Sequence, residues 1–520
     1  MIPQSAVKHY LARPLDNHQW VKDLDTDELW AAVEALRPQP TLSSALRRHQ
    51  LACFLLGVAH PAFAFWLDMG AGKTLLTLEL LNYWFETGRI RRAVILVKSD
   101  KALLTWEKQI KRWGFKFPYA LLEGSTEQKW LGWSEITDGL VIVARPGLRH
   151  MLSTKVLAKK KMRLRPDKTL ISRFMKGVGA LVLDESTDDA HYTSLNHELA
   201  VLMRKHVSIC YALSGRPFGR DPTLLWGQFY IVDGGATLGT TLGLFRSAFF
   251  AEYAKPFGNQ WSKDYVFKKS MTTQLTQMIQ HRSIAYSADE CGGLPPAVIQ
   301  VEEVRFPEET GAYYSRAVRE IVKARGNLKE VQNIFLRMRQ LSSGFVGFKH
   351  DETSERVQVE FKENPKFDRQ LELLDEMPSD AKAVIFYEFT FSGRKLFEAL
   401  KADGYDPIWL WSGTKSSRDE QQRFERDPAC RVAVINSRVG AYSMDGLQDV
   451  ANYVFFYESP VSSIDREQAE RRVRRDGQKK TVFQYDIIVR GSADAKILSF
   501  HKEGADLVKA LLHDPQGVLG

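Results

Sequence analysis

Between residues 45 and 215, five short apolar runs recur: AFAFW (62–66), RAVILVK (92–98), GLVIVA (139–144), ALVLD (180–184) and ICYALS (209–214). The stretches between them carry apolar residues at helical spacing. Near-continuous apolar strands alternating with amphipathic helices predict a parallel sheet covered on both faces. The alternation returns near residue 380 with KAVIFYEF, DPIWLW, RVAVINS, YVFFYE and FQYDII, which predicts a second parallel-sheet unit. Residues 17–37 place Trp, Leu and Val at helical spacing and end at RPQP, a helix stop. Residues 224–350 are aromatic-rich, mostly helical in pattern, and broken by GG, LPP and FPEE.

The expected fold class is α/β, with two parallel-sheet lobes joined by a helical insertion or connector. The expected domains are an N-terminal helical element (1–40), a first lobe (41–223), and the insertion and connector with the end of lobe 1 (224–355). A second lobe (356–500) and a C-terminal tail helix (501–520) follow. A chain of 520 residues is too long for one core, which agrees with several domains.

Composition narrows the class. Hydrophobic residues make up 44% and charged residues 26%, as in ordinary globular proteins. No apolar run approaches the roughly 20 residues that span a bilayer, and the N-terminus lacks an apolar signal core. Cys53, Cys210, Cys291 and Cys430 are scattered, forming neither a metal-ligand pair nor a disulfide framework. A reducing compartment, cytosol or nucleus, is expected. The net charge of +9 fits a polyanionic partner such as nucleic acid. Some of the excess is local, in KVLAKKKMRLRPDK (155–168) and ERRVRRDGQKK (470–480). The first run reads as a solvated helix or loop.

The chemistry starts at WLDMGAGKT (66–74). The strict phosphate-loop pattern wants a glycine where Leu67 stands, yet Gly70, Ala71, Gly72, Lys73 and Thr74 follow a strand and open a helix, as phosphate binding requires. The glycines let backbone N–H groups approach phosphate oxygens, and the helix N-terminus adds positive potential. Lys73 is the candidate contact to the β- and γ-phosphates of ATP, and Thr74 a candidate ligand for Mg²⁺. ALVLDEST (180–187) supplies the complement: an apolar strand ends in two carboxylates. A strand neighbouring the phosphate loop would put Asp184 on Mg²⁺, and Glu185 would polarise the attacking water.

The order of further segments resembles superfamily-two helicases, and among them the Swi/Snf-like DNA translocases, from about residue 44 to 490. LRRHQ (46–50) looks like the segment whose Gln reads adenine, which makes Gln50 the adenine candidate. DMGAGKT is similar to the family's EMGLGKT. The segments 95–113 and 140–150 resemble motifs that touch the DNA backbone, DEST stands for Asp-Glu-Ser/Gly-His, and YALSGRPF (211–218) for LTGTP. LWGQFYIVDGG with LFRSAFF is similar to the family's helical protrusion, and MIQHRSIAYSADECGGLPP to its RR…LPPK junction, with His281 for one arginine. In the second lobe, QAERRVRRDGQ (468–478) resembles QAEDRAHRIGQ, matching at Gln468, Arg472, Arg475, Gly477 and Gln478.

The resemblance implies that both lobes are RecA-like, with lobe 1 binding ATP, the nucleotide held between the two, and Gln468 at the nucleotide. Arg472 and Arg475 would serve as arginine fingers, since Arg stays ionised and binds bidentately; three residues apart, both can share one helix face. It implies backbone contacts at Lys98, Arg145, Thr414 and Arg438, each of which also reads as an ordinary surface residue. Trp409 and Trp411 read as core packing. Thr187 and Ser214/Arg216 depart from the family pattern at two places that couple ATP state to lobe motion, and Arg438 and Tyr442 fall where the family often has glycines. The short chain resembles economical bacteriophage or bacterial members, which implies the bacterial or phage-infected host cytoplasm, with the nucleus as the alternative. The implied function is an ATP-dependent translocase or helicase on double-stranded DNA in replication, recombination or repair. A monomer and a replication or transcription partner are expected, and no membrane partner. An RNA-directed ATPase and a nucleotide-gated binding module without motor activity are the alternatives.

Overall fold

The computed structural model describes residues 3–43, 46–68, 70–158, 161–215, 222–254, 263–287, 290–291, 296–324, 327–349, 356–414, 417–438, 446–475 and 478–503. The chain forms two compact units, Met1–Gly292 and Gly293–Gly520.

In the first unit the strands are β1 (Ala62–Leu67), β2 (Arg92–Val97), β3 (Tyr119–Leu122), β4 (Gly139–Ala144), β5 (Ser153–Ala158), β6 (Lys161–Pro166), β7 (Val178–Leu183), β8 (Ile209–Ser214), β9 (Phe250–Ala254), β10 (Lys263–Phe267) and β11 (Ser283–Tyr286). Seven of them make one sheet in the order β11-β1-β8-β7-β2-β4-β3, parallel throughout. Strand alternation sorts their side chains to two faces. Phe63, Phe65, Ile95 and Ile142 pack with Phe54, Leu76 and Trp106 from helices Arg48–Ala59, Lys73–Glu86 and Asp100–Trp113. On the other side Val94, Leu96, Val141 and Leu183 meet Trp133, Phe174 and Leu199 from helices Thr126–Glu135, Lys168–Phe174 and Leu195–Arg204.

The expected helix over 17–37 is interrupted. Gln19–Lys22 is a single 3₁₀ turn, and the helix proper is Thr26–Glu34. Asp25 sets this start: its carboxylate accepts from Glu28 N–H while Glu28 accepts from Asp25 N–H, both at 2.8 Å. A further helix, Gln4–Leu11, buries Tyr10 against Phe249.

The basic run at 155–168 is not the solvated helix or loop expected. Ser153–Ala158 and Lys161–Pro166 pair as an antiparallel hairpin that forms a sheet of its own. The period-two alternation of apolar and basic residues overrides its high charge.

The second unit holds β12 (Ala297–Val304), β13 (Phe345–Lys349), β14 (Arg356–Glu360), β15 (Ala383–Tyr387), β16 (Ile408–Leu410), β17 (Val432–Asn436), β18 (Tyr453–Phe456) and β19 (Val482–Val489). Six form a parallel sheet ordered β12-β19-β18-β15-β17-β16. Helices Glu308–Lys323 and Leu328–Ser342 pack with Ala493–Glu503 through Ile321, Met338 and Ile497.

The stretch 224–355, expected as one insertion and connector, is divided. Helices Thr223–Asp233, Leu242–Phe249 and Thr272–Ile279 belong to the first unit, and β12 to β13 to the second. The second unit thus begins well before residue 356, because β12 is the edge strand of its sheet along β19. Of the expected tail helix 501–520, residues 501–503 close the helix Ala493–Glu503 and the rest lies outside the described residues.

Buried polar ties fix the sheet of the first unit. The Tyr211 hydroxyl on β8 donates to the Gly57 carbonyl and accepts from Trp84 Nε1, both at 2.8 Å. Tyr211→Phe leaves both partners unsatisfied, and the expected loss is about 1–3 kcal/mol. Urea unfolding of the two proteins measures it.

Candidate functional site

β1 delivers the chain to the phosphate loop, where Gly70 (φ 84°) and Gly72 (φ 77°) take left-handed conformations. Gly72 is the N-cap of helix Lys73–Glu86 and offers no capping side chain, which leaves the first-turn N–H groups suited to an anion. Ala71 lies between the glycines and is buried. The loop is braced from helix Arg48–Ala59. Gln50 accepts from Arg47 N–H at 3.0 Å and donates to the Gly72 carbonyl at 3.3 Å. The His49 ring donates to the Ala71 carbonyl at 2.8 Å. The left-handed conformation at Gly72 favours glycine, and a Cβ there would also push aside the end of the Gln50 side chain. Lys73 Nζ donates to the Leu67 carbonyl at 2.7 Å and the Asp68 carbonyl at 3.4 Å. Thr74 follows in the first turn.

The carboxylates stand at the C-terminal edge of the same sheet. β7 is not the immediate neighbour of β1, as expected from sequence; β8 runs between them. Two strand spacings separate the loop strand from the carboxylate strand by about 10 Å, room for a polyphosphate and an ion. Asp184 N–H donates to Leu96 O at 3.0 Å, and Trp106 Nε1 donates to Asp184 Oδ2 at 2.9 Å. Glu185 has φ 52°, the one positive φ of a non-glycine among the described residues. A bulky residue holds that conformation only where its surroundings impose it. Here a 3₁₀ turn, Ser186–Asp189, follows at once, with the buried Ser186 hydroxyl donating to Gln228 Oε1 at 2.7 Å.

Burial raises the pKa of Asp184 above the ordinary carboxylate value, against the Trp106 hydrogen bond and the Lys73 charge. Burial also raises that of Glu185, opposed by Lys73 and reinforced by Asp184. The two carboxyls therefore lack sufficient countercharge. A divalent cation held by Asp184 and Thr74, with phosphates over the glycines, suits this donor set. The residues thus fit ATP and Mg²⁺.

The remaining candidates fall out differently. Arg145, expected at a DNA backbone, is buried and paired with Asp189, its Nε 2.8 Å from Oδ1. That pair fastens helix Arg145–Met151 to the carboxylate turn and removes Arg145 from a solvent-facing role. Lys98 is exposed after β2, and its charge reaches Glu185. Thr414 Oγ1 accepts from Trp411 N–H at 3.0 Å and thereby shapes the turn after β16. Arg438 is exposed beyond β17. Trp409 donates to the Tyr387 hydroxyl at 2.7 Å and stacks on Trp411 with ring centres 5.6 Å apart.

In the second unit, Gln468 lies in helix Ser463–Glu470. Arg472 and Arg475 do not share a helix face, because the helix ends at Glu470 and they follow in a turn and a bend. Gln478 Nε2 donates to the Ala451 carbonyl at 2.7 Å, while Gly477 lies outside the described residues. Arg466 anchors the segment, bonded to Asp486 and Glu470 and stacked 3.4 Å over the Phe456 ring. Of the departures, Thr187 sits in the 3₁₀ turn, Ser214 ends β8 buried, and Arg216 and Tyr442 lie outside the described residues. His281 accepts from Asp16 N–H at 3.1 Å, a structural use.

Sequence reasoning missed His49, Trp106, Asp189, Gln228 and Arg466. His49 stood inside the quoted LRRHQ. The partners of Asp189 and Gln228 are distant in sequence, and no local pattern marks them.

The SNF2-related domain model matches residues 65–349, more than half of the chain, and the chain belongs to that family. It is thus helicase-like and of the Swi/Snf type, a family of ATPases. Zorya protein ZorD of Escherichia coli is 22% identical over 85% of this chain and 41% of its own length. The putative ATP-dependent helicase/translocase YwqA of Bacillus subtilis is 22% identical over 83% of this chain and 44% of its own. A RAD54-like DNA repair and recombination protein of Drosophila virilis is 32% identical over 26% of this chain and 18% of its own. The chain spans less than half the length of these relatives. They lend no support to a bacteriophage origin. The SWI2/SNF2 ATPase core of Sulfolobus solfataricus in complex with double-stranded DNA is 17% identical, covering 91% of this chain and 95% of that one, with a TM-score of 0.39. Among the described residues, no helix is long and apolar enough to cross a membrane.

Two outcomes follow. Gly72→Ala forces a left-handed alanine, costing about 1–2 kcal/mol before the Gln50 clash, and nucleotide affinity should fall; fluorescent-nucleotide titration reads it. Because burial raises both carboxyl pKa values and the ionised forms are the working ones, kcat/KM for ATP should rise with pH. Its acid limb should lie above the ordinary carboxylate range. A pH profile whose limb stays within that range contradicts it.

Proposed function

We propose that the chain is an ATP-driven translocase of double-stranded DNA. The observation that carries this reading is one sheet edge bearing both the phosphate loop and the Asp184–Glu185 pair, in a chain of the SNF2-related family. The glycine loop and helix N-terminus hold the phosphates, and Lys73 leaves the Leu67 and Asp68 carbonyls to meet them. Thr74 and Asp184 hold Mg²⁺, which neutralises phosphate charge when bound. Glu185 orients the attacking water and takes its proton. Gln50 borders the nucleotide from its seat beside Gly72.

Arg472 and Arg475 supply positive charge to the γ-phosphate, and Gln468 assists from the same segment. Both follow the end of helix Ser463–Glu470, in a turn and a bend. Lys98, Thr414 and Arg438 contact the DNA backbone; Arg145 is withdrawn from that set. The net charge of +9 favours a phosphate-rich track. The repair and recombination names of the RAD54-like relatives favour DNA over RNA.

Steady-state ATP hydrolysis at low salt, alone and with duplex DNA, single-stranded DNA or RNA, tests the reading. Duplex DNA should stimulate most, and added salt should reduce the effect. Lys73→Ala should abolish turnover. Glu185→Gln should lower kcat about 10²–10⁴-fold with nucleotide binding retained. Equal rates with and without DNA would overturn the proposal, and stimulation by RNA alone would replace the substrate.

A further inference from the structure

The hairpin β5–β6 plays no part in the nucleotide site. Its base is fixed: Asp167 N–H donates to the Leu152 carbonyl at 2.9 Å, and the strands rest on helices Arg145–Met151 and Leu195–Arg204. Beyond the base the two strands pair only with each other. Such a ribbon has no core of its own and is marginal in water. Six residues per strand give it a reach of about 20 Å.

Its register sorts the side chains. Lys155 faces Leu164 and Leu157 faces Met162 on one side; Thr154 faces Arg165 and Val156 faces Arg163 on the other. At the far end of the first face the apolar pair lies in water, Leu157 70% exposed and Met162 59%. Arg163 and Arg165 are exposed on the opposite face. An apolar pair at the end of a cationic ribbon is costly in solvent and complementary to a polyanion with an apolar interior. Stacked bases behind phosphates have that chemistry, and β-ribbons enter the major or the minor groove of DNA. From the minor groove, apolar wedges of Leu and Met open base steps.

We propose that this hairpin is a DNA wedge, with Arg163 and Arg165 on phosphates and the Leu157–Met162 pair pressed into the base stack. It rests on the duplex-DNA reading above. The hairpin follows directly on helix Arg145–Met151, whose first residue is ion-paired with Asp189 in the turn after Glu185. The buried pair therefore ties the wedge to the loop where hydrolysis is sensed.

The test uses the full chain and duplex DNA carrying 2-aminopurine, whose fluorescence rises on unstacking. Wild type should raise it. Leu157→Thr with Met162→Thr keeps strand propensity at exposed positions; it should keep basal ATPase and lose the fluorescence rise. Arg163→Gln with Arg165→Gln should reduce the salt slope of DNA binding by about 2. If wild type binds DNA and is stimulated by it, yet both double variants match it in fluorescence and slope, the wedge is overturned and the translocase reading stands. If wild type neither binds DNA nor responds to it, both fall. If the variants change only self-association in sedimentation, the hairpin is a protein-docking face and the proposal is wrong.

Discussion

The crowding of two half-buried carboxyls, Asp184 and Glu185, at the end of an apolar strand is the constraint on which the phosphate-loop edge of the first unit depends. Charged oxygens placed there are short of solvent, and Lys73, Lys98, Arg145 and the Trp106 N–H offset only part of that cost. The surroundings are therefore organised around an electrostatic deficit. In the proposed reading, a cation with a bound polyphosphate would offset that deficit.

The supporting structure follows from this. The parallel sheet brings the ends of β1 and β7 to one edge, with β8 as the spacer between them. Trp106 orients one carboxylate oxygen, and the left-handed φ of Glu185 turns the backbone out of the strand into the turn Ser186–Asp189. Asp189 closes the turn on Arg145, a buried pair whose disruption would leave one charge stranded at a cost of about 3–5 kcal/mol. Gln50 and His49 brace the other wall of the site. The second unit repeats the parallel architecture, and its arginines lie past the end of a helix rather than on it.

Much of this was legible in the sequence because its causes are local. Strands buried on both faces read as unbroken apolar runs, and β1, β2, β4, β7 and β8 lie within a few residues of AFAFW, RAVILVK, GLVIVA, ALVLD and ICYALS. The phosphate loop was readable because left-handed turns need glycine. Short strands such as β3 and β11 carry too few residues for a pattern, and β12 is exposed along much of its length. Lysines hid the β5–β6 hairpin by their charge, although its alternation was present. Arg145 was misread because Asp189 stands 44 residues away. Arg472 and Arg475 had the spacing of a helix face, but the helix stops at Glu470.

Displacement of a third strand from a DNA triplex tests the central claim most directly, since it responds to directional movement along a duplex rather than to hydrolysis alone. ATP should drive displacement by the wild-type chain and none by Lys73→Ala. Absence of displacement by a chain whose hydrolysis duplex DNA does stimulate would mean that the nucleotide site gates binding without moving the protein, and would contradict the account.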